Sequence, residues 1–283
     1  MAKQNPSKIN RLDTLLDEGL LAPTYWLEEH GYSRANLAGY VDGGRLESPA
    51  RGVYRRPGPP LKWQHVVASL QLLAGGFWHV GGRTALVQHG FGHYVRMQGP
   101  EPVYLYGPET LPHWVNRLGL KETFVARHDA MLGSLRARRS ERGTAVDFKD
   151  RSLTAAQLAE LGLREEPWGA WSWKLWFSAD ERAMLEFLQD APAQASIHDA
   201  DLFMQGLVSL RPTLVSKLLQ ACASVKVKRL FLALAERHGH AWVNRLDLRG
   251  VDLGKGKRML VRGGRLHAKY QITLPADLDD HAR

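Results

Sequence analysis

LAPTYWLEEHGYSRANLAGYVDGGRLESPARGVYRR, residues Leu21 to Arg56, changes its apolar spacing partway along, and that change decides the fold. Pro23 suits a first helical turn, where a missing N–H costs nothing. Trp26 and Leu27 then give an apolar side, and Gly31 ends the run. A second helix opens at Ser33, a good N-cap, and continues through Arg34, Asn36, Leu37, Tyr40 and Val41 to the Gly43-Gly44 stop. Leu37 and Val41 are four apart and face inward, which turns Arg34 and Asn36 to solvent near the helix N-terminus. After the glycine pair the period falls to two. Leu46, Val53 and Tyr54 flank a hairpin tip, Glu47 to Gly52, with Arg51 at its apex and Arg55 and Arg56 just beyond. Helix, turn, helix and hairpin in that order is the layout of a winged helix-turn-helix.

In that layout the start of the second helix faces base edges and the wing lies along the phosphate backbone. Arginine can grip guanine O6 and N7 as a fork, and asparagine can do the same to adenine. The candidate DNA contacts are therefore Ser33, Arg34, Asn36 and Tyr40 on the helix, Arg45 after it, and Arg51, Arg55 and Arg56 on the wing. A small packing module with a solvated charged face is the plainer alternative, because helix-glycine-helix pieces are common. Charge favours DNA. From Gly31 to Gly58 there are five basic residues and two acidic ones, so the positive charge sits on the second helix and wing rather than on the supporting helices.

The whole chain of 283 residues has a formal charge of +9 and a sequence pI near 9.7, which calls for a polyanionic or acidic partner. Its length and 44% apolar content suffice for two cores. No window approaches the roughly 18 uninterrupted apolar residues of a membrane span, and MAKQNPSKIN lacks the apolar centre of a secretory signal, so a cytoplasmic protein is expected. Cys222 is the only cysteine, which excludes an internal disulfide and a cysteine-based zinc site.

A first helix is expected from Ile9 to Glu18, and Pro57-Gly58-Pro59-Pro60 reads as a stiff linker. It divides residues 1–60, the winged module, from residues 61–283. The expected class is α+β, an N-terminal winged helix-turn-helix followed by a larger mixed α/β C-terminal domain. In the latter, helices are predicted over Lys62 to Leu73, Thr84 to His89, Leu111 to Leu118 and Val225 to His238, and from Pro212 onward. The boxes Thr154 to Gln157 and Ser178 to Glu181 each predict a helix start. Strands are predicted at Phe77 to Val80, Tyr94 to Met97 and Val103 to Tyr106, and in alternating fashion from Ala241 to Leu274.

Signals for catalysis are weak. His89 and His93 are four apart, but the glycines between them oppose the helix that would align them on a metal. His238 and His240 sit at a helix end, where positive charge suits the dipole. Gly81-Gly82-Arg83-Thr84 opens a helix and could hold a phosphate, without the spacing of a nucleotide-binding loop. Gly254 to Arg258 is a basic turn of similar standing. Asp129, Asp147 and Lys149 are the residue types of a metal-dependent nuclease, but such sets are frequent by chance. Trp168, Trp171, Trp173 and Trp176 alternate as a strand would and could stack bases, although packing explains them as well.

The runs LLDEGLLAPTYWLEEHGYSR and LAGYVDGGRLESPARGVYRRPG, the VGGRTALVQHG at Val80 to Gly90, and the closing GGRLHAKYQITLP at Gly263 to Pro275 resemble the AbiEi antitoxins of type IV toxin-antitoxin systems. The resemblance is specific at both ends and looser between about Leu120 and Asp201. It implies a winged N-terminal domain that represses its own promoter through inverted repeats, with a homodimer on the DNA as the matching expectation. It also implies a C-terminal domain that neutralises a nucleotidyltransferase-class toxin, and a protein that is no enzyme and needs no cofactor or metal. The alternatives are a ligand-sensing regulator, whose second domain is a pocket, and a nuclease using Asp129, Asp147 and Lys149.

Overall fold

The computed structural model describes residues 8–73, 78–94, 101–107, 110–132, 154–170 and 172–281. The chain opens with α1 (Lys8–Leu15) and β1 (Ala22–Pro23). Helices α2 (Thr24–Glu29) and α3 (Arg34–Asp42) follow, then the hairpin of β2 (Glu47–Ala50) and β3 (Val53–Arg55). The three strands make one antiparallel sheet in the order β1-β3-β2, so helices and hairpin follow in the order expected of a winged helix-turn-helix. Pro23 departs from its expected place in a first helical turn. It pairs with Val53 and is the extended N-cap of α2. A proline, which lacks a donor, is tolerated on an edge strand as readily as at a helix start.

Beyond Pro60 come α4 (Trp63–Leu72), β4 (His79–Val80), α5 (Gly82–Gln88), β5 (Val103–Gly107), β6 (Phe124–His128), α6 (Ala155–Glu160), β7 (Leu163–Trp168) and β8 (Trp173–Ser178). The strands form a five-stranded mixed sheet ordered β6-β5-β4-β8-β7, in which β5–β6 and β4–β8 are the parallel pairs. Helix α7 (Asp180–Asp190) is buried over most of its length and packs against α5, α8 (Ile197–Gly206), α9 (Pro212–Ala221) and α10 (Val225–Arg237). A short hairpin of β9 (Arg265–His267) and β10 (Ile272–Leu274) follows, and then a 3-10 turn at Ala276–His281.

The apolar core is continuous from Leu12 to Leu278 and crosses the Pro57 to Pro60 stretch. Leu21 N donates to Ser69 Oγ at 2.7 Å, and Trp173 Nε1 lies 3.4 Å from Asp17 Oδ2. Gly19, at φ +93°, lets the two parts approach this closely. A Cβ there would stand 2.9 Å from the His65 ring and 3.2 Å from Trp173. Trp173, paired in register with Trp168, is therefore a packing residue at this junction; Trp171 lies outside the described residues.

Three local expectations need correction. Helix α7 is capped at Ala179 and not Ser178, because Ser178 ends β8 and gives its hydroxyl to Glu186 Oε2 at 2.7 Å. Leu111 to Leu118 is only a 3-10 turn, at Val115–Arg117. From Ala241 to Leu274 the apolar alternation yields just β9 and β10, besides a 3-10 turn at Val243–Arg245. Buried Arg229 explains the last case. It donates to the carbonyls of Leu253, Gly256 and Gln271, so this loop satisfies main-chain acceptors with a side chain instead of a ladder. Of the strand expected from Tyr94 to Met97, residues 95–97 fall outside the described residues, and Tyr94 closes a 3-10 turn.

Candidate nucleic-acid interface

Helix α3 begins with a reciprocal cap. Ser33 Oγ accepts from Asn36 N at 3.3 Å, while Asn36 Oδ1 accepts from Ser33 N at 3.2 Å and from Ser33 Oγ at 3.0 Å. Two of the candidate DNA contacts thus hold each other, and Asn36 keeps only its Nδ2 donors for another partner. Tyr40 is half-buried, edge-on to Tyr32 with ring centroids 6.5 Å apart, and its carbonyl accepts from Arg45 N and Leu46 N. It joins α3 to the wing.

The arginines divide into two groups. Arg34 is 82% exposed and meets Glu28 at 3.0 Å, a surface pair worth only ~0–1 kcal/mol. Arg45 and Arg51 are exposed, with no ion pair among the described residues. Arg51 stands at the wing tip, which is fastened to α2: Thr24 donates both its N–H and its hydroxyl to Gly52 O, each at 2.9 Å. Arg55 and Arg56 are turned back onto the protein. Buried Arg55 bonds Glu47 Oε2 at 2.6 Å and Pro59 O at 2.9 Å, bracing the hairpin across the Glu47–Arg55 register. Arg56 meets Asp13 Oδ1 at 3.4 Å and the carbonyls of Asp13 and Leu16, where a cation suits the C-terminal end of α1.

Residue-type reasoning missed the composition of the outer face of α3. Beside Arg34 the exposed positions are Ala35, Ala38, Gly39 and Asp42, so little side chain separates the helix backbone from whatever it docks against. Gly39 is the telling member, since a Cβ there would meet nothing within 4 Å. Packing within the chain does not require this glycine, although glycine weakens a helix interior by roughly 0.5–1 kcal/mol. The signal was readable as small residues spaced three and four apart.

The other candidates are occupied by structural duties. The helix start at Gly81-Gly82 already holds an anion, the chain's own Glu186. Its Oε2 accepts from Gly82 N at 3.1 Å and from Ser178 Oγ, and its Oε1 from His79 Nε2 at 2.9 Å and Arg182 Nε at 2.7 Å. A Cβ at Gly81 would stand 2.2 Å from that carboxylate, so the glycine admits Glu186 rather than a ligand phosphate. Burial pushes the Glu186 carboxyl up, but its cationic neighbours and the hydrogen bonds it accepts outweigh this and hold it down at about 2. His89 lies between Asp180 Oδ1 at 2.5 Å and Glu166 Oε1 at 2.9 Å. Burial lowers its pKa, yet the bonds to Asp180 and Glu166 leave it raised overall. His238 bonds Asp201 at 2.8 Å, and His240 bonds Met204 O. Asp129 is buried, whereas Asp147 and Lys149 lie outside the described residues. Among the described residues no group of three or more His, Cys, Asp or Glu side chains is placed to hold a metal, and no helix is long and apolar enough to cross a membrane.

Comparison with known proteins fits this picture. Residues 5–97 match the family model described as transcriptional regulator, AbiEi antitoxin N-terminal domain. Residues 100–275 match the one described as transcriptional regulator, AbiEi antitoxin, type IV TA system. No curated protein matches the chain. The crystal structure of the RV2827C protein from Mycobacterium tuberculosis is similar in fold, with a TM-score of 0.52 at 14% identity over 96% of this chain and 92% of that one. The larger of the two family matches alone spans more than half of the sequence: the chain belongs to the AbiEi family of transcriptional regulators, antitoxins of type IV toxin-antitoxin systems.

Proposed function

We propose that α3 and the wing bind inverted repeats upstream of the protein's own gene as a homodimer in the cytoplasm, and that the larger part neutralises a nucleotidyltransferase-class toxin without catalysis of its own. The observation that carries the DNA reading is the state of Arg34, Arg45 and Arg51: exposed, free of any buried partner, and set on a capped helix and a tethered wing. Arg34 exchanges a weak surface pair for a guanine edge, Asn36 adds its Nδ2 donors without a free acceptor, and Arg45 and Arg51 take phosphates. Ser33 and Tyr40 place these groups, and Arg55 and Arg56 stiffen the wing from behind. Gel-shift titration of the full chain with its upstream region and with a scrambled duplex tests this. Preference for the upstream region, with affinity falling as salt rises by a log–log slope of about −0.9 per phosphate neutralised, is expected. Equal affinity for both duplexes would refute specific repression.

A further inference from the structure

A cleft of about 520 Å³ opens in the larger part, well within the usual size of small-molecule sites. Its floor is β5, on which Tyr104 and Tyr106 are two apart and share one face of the sheet. Its walls come from the end of α7, with Phe187 and Asp190, and from the start of α8, with Asp199 and Leu202. Arg83 reaches in from α5 and is held by Asp199 at 2.7 Å and Glu101 at 3.1 Å. Arg127, on the neighbouring strand β6, pairs with Asp190 at 2.9 Å and lies 5.4 Å from the centre of the Tyr104 ring.

Two features distinguish this cleft from a solvated charged groove. Among the described residues, the Glu101 and Asp199 carboxylates share the single Arg83 guanidinium, whereas Asp190 is met by Arg127 and Lys226, so the Arg83 end of the cleft is negative by one on a chain of net charge +9. Acceptor and donor capacity is also left over. Asp199 Oδ1 has no hydrogen bond among the described residues. The hydroxyl of Tyr106 likewise has none there, although that residue is only 2% exposed and lines the cleft. That hydroxyl is not among the atoms sealed without a partner, so it opens on the cleft and is available to a bound group.

We infer that this cleft binds a small organic cation, an amine or guanidine on a flat or aliphatic body, with Asp199 and the Tyr106 hydroxyl receiving the charged head and Phe187, Leu202 and the Tyr104 face receiving the body. The carboxylate excess at the Arg83 end attracts the head, and the Tyr104 ring offers the body an aromatic surface. A free anion is disfavoured because both arginines are already neutralised. The site shares no residue with the α3–wing surface, so its occupancy is measurable without DNA and independently of the operator reading.

Calorimetric titration of the full chain with agmatine and with tyramine tests the inference, with ATP as the probe of opposite charge. Saturable binding of at least one cation is expected. Asp199→Asn and Tyr106→Phe should each weaken it by about tenfold or more, since each removes a charged or hydrogen-bonding partner. Tyr104→Ala, which removes the aromatic wall offered to the body, should also weaken binding. Absence of cation binding at millimolar concentration, binding of ATP instead, or equal binding by parent and Asp199→Asn would each overturn the assignment.

Discussion

Arg34 and Arg51 are both exposed arginines of the winged module, yet their settings predict different behaviour. Arg34 lies in the first turn of α3, where a fork on a base edge discriminates by ~1–3 kcal/mol, so Arg34→Ala should weaken operator binding more than binding to random duplex. Arg51, at the tethered wing tip, should contact phosphate. Arg51→Ala should weaken both alike and flatten the salt slope by about one unit, as read from paired salt titrations. Equal losses on the two duplexes for Arg34→Ala would move base reading to Asn36 Nδ2 or the wing. Gly39 gives an independent check on how closely α3 approaches its partner. Gly39→Ala should raise stability by roughly 0.5–1 kcal/mol in urea unfolding, because the helix gains propensity and the new Cβ meets nothing. Gly39→Leu should fold equally well but lose operator affinity. If Gly39→Leu bound DNA like the parent, the small-residue face would have no role in docking.

At the scale of elements, both ends of α5 are fixed by titratable groups. Glu186 caps its start, and its folded pKa of about 2 lies below the ordinary 4.5. The stabilisation from this carboxylate is therefore complete above about pH 4.5 and is lost as pH falls toward 2. Glu186→Gln leaves Arg182 buried without its charge partner and should cost about 3–5 kcal/mol at neutral pH. Urea unfolding across this pH range should show the parent losing stability steeply on acidification and the variant less so. His89, at the other end, has a raised pKa, so its contribution is complete below pH 6.5 and disappears as pH climbs through the elevated value. His89→Gln should flatten the decline in stability above neutral pH, and an unchanged slope would assign that decline to other groups. These pairings explain what the sequence could and could not disclose. The Ser33 cap and the Thr154 cap were legible because their partners lie three residues away. The partner of Gly81-Gly82 is more than 100 residues away, so from sequence the same glycines read as a helix start able to hold a phosphate. The arginine-held loop after Leu253 read as strands because apolar alternation carries no record of a buried guanidinium.

Over the whole molecule, the two family models meet between residues 97 and 100, whereas the stiff Pro57 to Pro60 stretch lies some 40 residues earlier. The sheet favours the earlier cut for producing a stable fragment. Strand β4 belongs to the first family segment but sits in the middle of the five-stranded sheet, between β5 and β8. A fragment of residues 98–283 lacks β4, α4 and α5 and should be insoluble or molten. A fragment of residues 61–283 loses only the module packed on Ser69, His65 and Trp173, so it should fold, with lower stability. Far-UV and near-UV circular dichroism of the two fragments decides between the boundaries, and a well-folded 98–283 fragment would favour the later one. The division of labour is most directly tested in the full chain, with α3 and the wing altered only at their exposed charges by the double change Arg34→Ala and Arg51→Glu. Cells carrying the partner toxin and a reporter driven by the protein's own promoter are scored for growth and reporter output. The account predicts growth equal to that with the parent chain and a reporter released from repression. Cell death with a soluble variant, or a reporter still fully repressed, would contradict it.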